Sequence, residues 1–309
     1  MSKVLFLIIS AFLSINIYPQ SAADLSKRGS KRFVQGDYDG AIADFTQVID
    51  LTSRLNKKGG LSPSGFSPNP AADEAAFWSE NVRVIDPRTA DAYLQRGNAF
   101  FAKDEMESAI KDYNRALEIL PSSAGVYFCR GTAWLVKNDL ERALADFERS
   151  LKINPQFVKG YIGRGMARLD MGETKAAFED YDHAVGLAPR DAETLYHRGD
   201  ARLRAGDVAG ALADFENAMK LDPKLASSYL GRGTVRFYEK DYDGAIKDFT
   251  AALNLDGRLS LAYRNRGFVY LAEGQDAGAE KDFSRAVTLT PRLGPGIDAT
   301  VKIIKRLRK

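Results

Sequence analysis

A 34-residue period constrains this chain more than any other feature of its 309 residues. The dipeptide Arg-Gly recurs seven times; the last six copies lie 34 residues apart, and the first lies two periods ahead of the second, at Arg28-Gly29, Arg96-Gly97, Arg130-Gly131, Arg164-Gly165, Arg198-Gly199, Arg232-Gly233 and Arg266-Gly267. Periods of about 20 to 50 residues are typical of proteins that stack one small structural unit many times. The sequence therefore predicts a repeat array.

Three further positions repeat in phase with each glycine. An alanine stands twelve residues after it, an aspartate three residues later, and an aromatic residue directly after the aspartate. Within residues 124–155 the spacing of apolar residues predicts helices over 124–137 and 140–154, with a turn at Asn138-Asp139 and a stop at Pro155. Each unit is therefore predicted to be a pair of antiparallel helices.

The small residues have a packing interpretation. Gly131 and Ala143 are expected where the two helices approach most closely, because a larger side chain would push their axes beyond the usual separation of about 8–10 Å. A glycine inside a helix costs about 1 kcal/mol relative to alanine, so its recurrence indicates close contact in every unit. The aromatic residue after the aspartate, such as Phe147, is expected to fill the seam toward the neighbouring unit.

The pattern resembles the tetratricopeptide repeat, whose 34-residue signature carries Trp, Leu-Gly, Tyr, Ala, Phe and Pro in that order. One unit matches these places in turn with Tyr127, Gly131, Trp134, Ala143, Phe147 and Pro155. The resemblance covers nearly all of residues 22–291 and departs at the residue before the glycine, where the family usually has leucine and every unit here has arginine. It implies an all-α fold, an α-solenoid in which antiparallel helix hairpins stack into a right-handed superhelix.

The arginine before each glycine has an expected partner. In an antiparallel hairpin it lies roughly opposite the aspartate sixteen residues later, which predicts pairs such as Arg130 with Asp146 and Arg164 with Asp180, or the same aspartate reached from an adjoining unit. Such pairs would set the register of the helices more than they would add net stability. A row of ligand-binding arginines is the alternative interpretation.

Residues 1–23 have the layout of a secretory signal peptide. Lys3 is followed by an apolar run from Val4, a break at Pro19 and small residues just before Asp24. We therefore expect an exported protein, periplasmic or secreted, with no stable membrane span after the signal is cleaved. An uncleaved N-terminal membrane anchor is the alternative, because the uncharged stretch is nominally long enough to span a bilayer.

Residues 56–89 interrupt the repeats. Three prolines and three glycines between Lys57 and Pro70 argue against a helix there, and a helix is predicted to resume over residues 73–85. The segment is either a loop joined to a decayed repeat or an insertion, and in both cases we expect the first unit to stack poorly on the rest. Three aromatic residues are candidates for covering an exposed seam or for binding: Phe66, Phe77 and Trp78.

The remaining organisation follows from the period. A first unit is predicted at 24–55, six tandem units at 90–291, and a basic capping helix at 292–309, starting near Pro295. The apolar stripe of that last helix would consist of Ile297, Val301 and Ile304. A solenoid needs such a helix, with one face toward water, to close its end.

Composition argues against catalysis and against nucleic acid. Lys plus Arg total 44 and Asp plus Glu total 41, so the net charge of +3 gives no broad attraction to phosphates. The single cysteine, Cys129, and the two histidines, His183 and His197, leave little for metal or acid–base chemistry. Cys129 is expected to be a buried or half-buried residue, and His183 to be exposed. No phosphate-binding loop or hydrolase motif is present, so we predict no cofactor and no enzymatic activity.

The resemblance also implies a binding surface. In this family the first helix of each unit lines the concave side, which assigns the lining here to Leu94, Asn98, Phe101, Phe128, Thr132, Leu135, Ile162, Met166, Leu169, Tyr196, Asp200, Leu203, Leu230, Thr234, Phe237, Arg264, Phe268 and Leu271. Some of the last members of these trios are expected to be core instead. A mixed apolar and aromatic row with few charges suits an extended peptide or a partner helix.

One known binding mode of the family fits poorly. The clamp that some members use for a chaperone's terminal carboxylate is matched here at Asn98 and Lys159, but Leu94, Cys129 and Gly163 occupy its other places. The sequence therefore predicts a non-enzymatic protein–protein interaction scaffold or adaptor of the cell envelope. The alternative is an envelope enzyme, for example a hydrolase, that uses the repeats as a substrate-binding arm and carries a second domain.

Overall fold

The computed structural model describes residues 21–57 and 87–307, and every regular element in these ranges is helical. The all-α prediction is confirmed for this part of the chain. Besides one short 3-10 helix at Pro291–Leu293, it contains α1 (Ala22–Val34), α2 (Tyr38–Lys57), α3 (Pro87–Ala102), α4 (Met106–Ile119), α5 (Ala124–Val136), α6 (Leu140–Ile153), α7 (Val158–Asp170), α8 (Thr174–Leu187), α9 (Ala192–Arg204), α10 (Val208–Leu221), α11 (Ala226–Tyr238), α12 (Tyr242–Leu255), α13 (Ser260–Ala272), α14 (Asp276–Leu289) and α15 (Gly294–Leu307).

The chain divides into two compact units, one ending at Asp139 and the other beginning at Leu140. In the first unit, α1 packs on α2 and α3 packs on α4 as hairpins, and α5 packs on α4. In the second unit the hairpins are α7 with α8, α9 with α10, α11 with α12 and α13 with α14, and α6 packs on α7. Consecutive helices are thus paired as the sequence period predicts.

The first helix of each repeat ends in the same way. The residue seven positions after the repeat glycine has a positive φ, a left-handed conformation that ends a helix and favours glycine. Four repeats have glycine at this position and three have Asp, Asn or Lys: Gly36, Gly172, Gly206, Gly274, Asp104, Asn138 and Lys240. Sequence reasoning found the turn at Asn138 but missed that this position recurs in every repeat.

The aromatic ring after the repeat aspartate occupies the space that a side chain on the repeat glycine would need. A Cβ atom on Gly199 would lie 2.8 Å from Cε1 of Phe215 in the same hairpin, and one on Gly231 of the next hairpin would lie 2.5 Å from the same atom. The ring of Phe147 makes the second kind of contact with Gly163, which confirms that the aromatic residue fills the seam between units. The expected close approach of glycine and alanine is confirmed as well, because a Cβ atom on Gly165 would lie 3.2 Å from the backbone oxygen of Ala177 and one on Gly97 would lie 3.3 Å from that of Ala109.

The first hairpin stacks directly on α3. Leu25, Val48 and Ile49 form one buried cluster with Ala92, and the Arg96 Nη1 donates to Thr46 Oγ1 at 2.9 Å. The expectation that this hairpin stacks poorly is therefore wrong, because apolar surface on α2 is matched by small residues on α3. The helix predicted over residues 73–85, together with the three candidate aromatic residues near it, lies outside the described residues.

The C-terminal helix α15 packs on α13 and α14. It begins at Gly294, one residue before Pro295. Ile297 is 3% exposed, Val301 and Ile304 are half-buried, and Ile303, which is off this stripe, is 58% exposed. The predicted apolar stripe therefore faces the last hairpin.

The repeat arginines whose aspartate lies in the same unit each donate two hydrogen bonds to it. In one example, Arg232 Nε and Nη2 lie 2.9 and 2.7 Å from the two carboxylate oxygens of Asp248. The aspartates are 1–5% exposed and the arginines 16–36% in the pairs Arg28–Asp44, Arg96–Asp112, Arg164–Asp180, Arg198–Asp214, Arg232–Asp248 and Arg266–Asp282. The predicted pair of Arg164 with Asp180 is confirmed, whereas Arg130 with Asp146 would join the two units and stays a prediction.

Three of these six arginines also reach the preceding hairpin: Arg96, Arg198 and Arg266. Arg198 Nη1 donates to Asp182 Oδ1 at 2.9 Å, and Arg266 Nη1 donates to Thr250 Oγ1 at 3.0 Å. In four repeats a second arginine, one turn further along the helix, donates to the same buried aspartate at 2.8–2.9 Å: Arg32, Arg168, Arg202 and Arg236. We call these arginines and their aspartates the arginine–aspartate ladder.

The ladder uses its arginines inside the fold. Hydrogen bonds from both ends of a guanidinium to a carboxylate are among the strongest that proteins make, and they fix orientation as well as distance. The hydrogen bond to Asp248 raises the pKa of Arg232, as expected for a cation held by a buried anion. The interpretation of these arginines as a ligand-binding row is therefore wrong for the pairs within each unit.

Candidate functional site

The predicted groove residues all lie on first helices of the repeats, at the positions three before, one after and four after the repeat glycine. Positions four apart lie above one another on a helix, so they form one surface in each unit, which we call the first-helix face. Ile162 and Leu230 are 7% exposed and Leu271 is 1% exposed; the other residues are half-buried. Leu271 is thus core, as expected for some of the last members. Ile162 and Leu230 are first members of their trios and are expected from the sequence to line the groove, but they belong to buried clusters, because each packs against the neighbouring helices.

In the first unit this face is uncharged. Leu94 and Phe101 pack against the buried cluster of α4 and α5. Asn98 lies between them in sequence, and its Oδ1 accepts a hydrogen bond from Tyr113 Oη at 3.0 Å, which turns the amide nitrogen of Asn98 toward the other side. Burial raises the pKa of Tyr113, so this hydroxyl remains a donor. The face can therefore offer apolar contacts and one oriented amide.

In the second unit, α9 brings four polar groups to the face. The Tyr196 ring lies 5.9 Å from the Phe215 ring and 5.3 Å from the His197 ring. Asp200 follows one turn later, and no described residue gives it a hydrogen bond or an ion pair. Burial raises the pKa of Asp200 and lowers the pKa of His197. Arg204, a cation that acts on Asp200 electrostatically, forms an ion pair with another residue, Asp170.

Two repeats further along, α13 brings a cation to the same face. Arg264 Nε donates to Asn265 Oδ1 at 3.0 Å, and Asn265 Nδ2 donates to Thr234 Oγ1 at 3.2 Å. No carboxylate of the described chain lies within ion-pair distance of Arg264, and burial lowers its pKa. Tyr238 of α11, which influences this pKa electrostatically, is 65% exposed. Arg264 thus differs from Arg266, two residues later, whose guanidinium is fully engaged.

Sequence reasoning identified Asp200 and Arg264 but missed several of their neighbours. Arg204 and Tyr238 occupy the position five after the repeat glycine, next to the predicted one on the same face. Val136 takes this place in the first unit and is 40% exposed. A helical projection would have included this position, because it lies four residues after the middle member of each trio and so on the same side of the helix.

The other candidate residues have ordinary environments. Cys129 is half-buried and His183 is exposed, as expected, with the His183 ring 4.3 Å from that of Tyr161. In residues 21–57 and 87–307, no group of three His, Cys, Asp or Glu side chains is placed to hold a metal ion. Within the same ranges, no helix combines the length and the hydropathy that a membrane span requires.

Two surface cavities lie mostly away from the first-helix face. One, between α4 and α5, is lined among others by Ile110, Asn114, Trp134 and Lys137. The other, between the last hairpin and α15, is lined by apolar and charged residues that include Leu271, Asp276 and Lys305. Leu271 is the one predicted groove residue in either lining, so these two cavities are largely separate from the face.

Comparison with known proteins assigns the repeats to one family. Models of the tetratricopeptide repeat match residues 90–123, 124–157, 158–191, 192–225 and 230–295. The chain is 31% identical over 116 residues to RNA polymerase II-associated protein 3 of Mus musculus, which covers 35% of this chain and 16% of that protein. It is 27% identical over 101 residues to small glutamine-rich tetratricopeptide repeat-containing protein 2 of Mycosarcoma maydis, which covers 33% of this chain and 29% of that protein.

Solved structures share the fold at low sequence identity. A tetratricopeptide repeat protein from Parabacteroides merdae has a TM-score of 0.63 at 17% identity, over 93% of this chain and 99% of that one. Yeast Tom70 has a TM-score of 0.60 at 15% identity, over 96% of this chain and 67% of that one. With the helical hairpins, the repeat signature and the family models in agreement, the chain belongs to the tetratricopeptide repeat family.

Proposed function

We propose that this protein is a non-enzymatic scaffold of the cell envelope that binds a peptide or a partner helix on its first-helix face. The observation that carries the proposal is a contrast between the side chains of the ladder and those of the first-helix face. The ladder arginines and aspartates are bonded to each other, whereas the first-helix face has half-buried apolar side chains together with two charged ones, Asp200 and Arg264, that have no ion-pair partner in the described residues. A surface of this kind is what extended peptides and amphipathic helices bind.

Exposed apolar residues beside the face support the same proposal. Val136 is 40% exposed and Tyr238 is 65% exposed, so both present apolar area to solvent beside the face. Both stand at the position five after the repeat glycine, one in each unit. A bound polypeptide would cover them and gain the associated hydrophobic free energy, about 25 cal/mol per Å² of apolar area.

Site-specific crosslinking tests the binding face. A photoreactive phenylalanine analogue placed at Phe268 or Tyr238 should crosslink to a polypeptide in cells that express the protein at its natural level. The matched control is the same analogue at Lys247, which is exposed on a second helix. Equal crosslinking from all three positions, or recovery of a small molecule in place of a polypeptide, would refute the proposal.

We also propose that residues 1–23 direct export. The expected cleavage before Asp24 falls in the first turn of α1, where Ser21 Oγ accepts a hydrogen bond from the Asp24 backbone N–H at 3.1 Å. Cleavage would remove this cap, which is worth about 1 kcal/mol. Residues 1–23 fused to a reporter enzyme that is active only after export should give activity. A fusion that starts at Asp24 is the control, and equal activity from both would contradict the proposal.

A further inference from the structure

We propose that the first-helix face of the second unit binds an extended peptide by two opposite charges, with Asp200 taking a basic side chain and Arg264 taking an acidic side chain of the same peptide. This inference rests on the proposed function and names the chemistry of its ligand. It follows from a contrast within the unit, where the ladder aspartates and arginines are paired and these two charges on the face are not.

The two charges share one surface. Asp200 stands one residue after its repeat glycine on α9, and Arg264 stands three residues before its own on α13. Helix α11 lies between α9 and α13 and contacts both of these helices. Thr234 of α11 occupies the position equivalent to Asp200 and accepts the hydrogen bond from Asn265, the neighbour of Arg264. A ligand that crosses α11 along this face would therefore meet both charges.

Asp200 is a half-buried carboxylate that receives no hydrogen bond from its described neighbours. The groups that act on it or are acted on by it are Arg204, His197, Tyr196 and Tyr181. Arg204 is bonded to Asp170, and none of the four donates a hydrogen bond to Asp200. Half-burying a carboxylate without a donor costs free energy. A lysine or arginine side chain of a ligand would supply the missing charge-assisted hydrogen bond.

Arg264 has the converse environment. Its Nε is held by Asn265, which leaves the terminal nitrogens of the guanidinium without a carboxylate partner in the described chain. A guanidinium fork matches an aspartate or glutamate side chain in geometry and charge. Tyr238 beside it is 65% exposed and offers an aromatic surface to the residues that flank the acidic group.

The spacing of the charges on the ligand follows from helix packing. Neighbouring packed helices lie about 8–10 Å apart, so α9 and α13, two steps apart, are separated by roughly 16–20 Å. An extended chain advances about 3.3–3.6 Å per residue. The expected ligand therefore carries its basic and acidic side chains about five or six residues apart.

Selection from a displayed library of random peptides tests this directly. The peptides lie within constant flanking sequence, so that every carboxylate comes from a side chain and not from a chain end. Selection on the full chain should enrich peptides with a basic and an acidic residue five or six positions apart. Selection on the double variant Asp200→Asn with Arg264→Met should not enrich that spacing.

Individual peptides then assign each charge. Asp200→Asn should lower the binding affinity for an enriched peptide about tenfold, because one charge-assisted contact is worth about a factor of ten. In this variant, neutralising the basic residue of the peptide should cause no further loss of affinity. Arg264→Met should do the same for the acidic residue. Glu193→Gln, an exposed carboxylate of α9, is the matched control and should bind like the parent protein.

The outcomes separate this inference from the proposed function. Enrichment of peptides without that spacing, or equal enrichment on the parent and the double variant, overturns the charge assignment. If crosslinking from Phe268 and Tyr238 still exceeds that from Lys247, the scaffold function stands without it. Loss of folding does not confuse the test, because both substitutions remove a half-buried charge that has no ion-pair partner in the described residues, and thermal unfolding reports any change.

Discussion

Two arginines on α13, separated by one residue, show how the molecule treats its charges in two regions. Arg266 donates to both oxygens of Asp282 at 2.7 and 2.9 Å and to Thr250, and it joins two hairpins. Arg264 has a neutral amide as its partner and lies on the first-helix face. The same contrast separates Asp214, held by two arginines, from Asp200, held by none. Charges that build the fold are paired, and these two charges on the face have no ion-pair partner in the described residues.

This difference teaches a way to tell the two roles apart by experiment. Removing one partner of a buried pair leaves the other charge uncompensated and destabilises the protein. Removing a half-buried charge that has no partner takes away a desolvation cost and stabilises it. The sign of the change in unfolding free energy therefore reports whether a charged residue belongs to the ladder or to the face.

The largest effect is expected from Asp248→Ala. Asp248 is 5% exposed at its side chain and accepts hydrogen bonds from Arg232 and Arg236. Its loss leaves two adjacent guanidinium groups without their anion and should lower the unfolding free energy by about 3 kcal/mol. Urea unfolding followed by helical circular dichroism measures this. Lys247→Ala, on the exposed side of the same helix, should stay within about 0.5 kcal/mol, and a similar loss in both would break the comparison.

Two substitutions on α13 are expected to change the unfolding free energy by intermediate amounts and in opposite directions. Arg266→Met should destabilise by about 2 kcal/mol, because the buried carboxylate of Asp282 loses its donors. Arg264→Met should stabilise slightly, by about 0.5 kcal/mol, because an unpaired charge is replaced by an apolar chain of similar length. The measurement is the thermal unfolding midpoint of both variants side by side. Destabilisation of equal size would show that Arg264 has a structural role.

The smallest effect is a pH dependence of Asp200→Asn. Burial raises the pKa of Asp200 above its usual 3.8, so the folded state binds this proton more tightly than the unfolded state does. The ionised carboxylate therefore costs stability above its folded-state pKa, and the cost disappears once it is protonated. Asp200→Asn should be more stable than the parent at about pH 7, and the difference should shrink as pH falls toward about 4.

Comparison with Arg264→Met sharpens this prediction. Its stabilisation should not change over the same pH range, because a guanidinium stays protonated. Burial lowers the pKa of His197 and the Asp200 charge raises it, so the comparison of Asp200→Asn with the parent is repeated with His197→Gln in both proteins, which removes this coupling. A difference between Asp200→Asn and the parent that grows on acidification would contradict the assigned direction of the Asp200 pKa.

Much of the fold could be predicted because it depends on spacing along the chain. The pair of Arg164 with Asp180 follows from a sixteen-residue separation in an antiparallel hairpin, and the helix bounds follow from apolar periodicity. The stacking of the first hairpin on α3 could not be predicted. It depends on how Leu25 and Val48 fit against Ala92 across an intervening segment, and a single sequence does not encode such a fit in any local pattern.

The candidate site could also be predicted only in part. The positions of Asp200 and Arg264 on the first-helix face came from the period and the family resemblance, but their unpaired state did not. The sequence contains Arg264 and Arg266 as two arginines of the same helix, with nothing to distinguish their partners. The neighbours around α13 decide which arginine is paired. Arg266 meets Asp282 and Thr250, whereas Arg264 meets Asn265 and Tyr238.

The sequence by itself determined the repeating helical hairpin, its family, and the internal arginine–aspartate pairs, because each depends on residue type and on separations shorter than one period. Only the tertiary structure decided which glycine meets which ring and which charges remain without a partner. The physical reason is that burial and pairing are properties of surfaces, and each surface here is built from residues of two or three neighbouring hairpins.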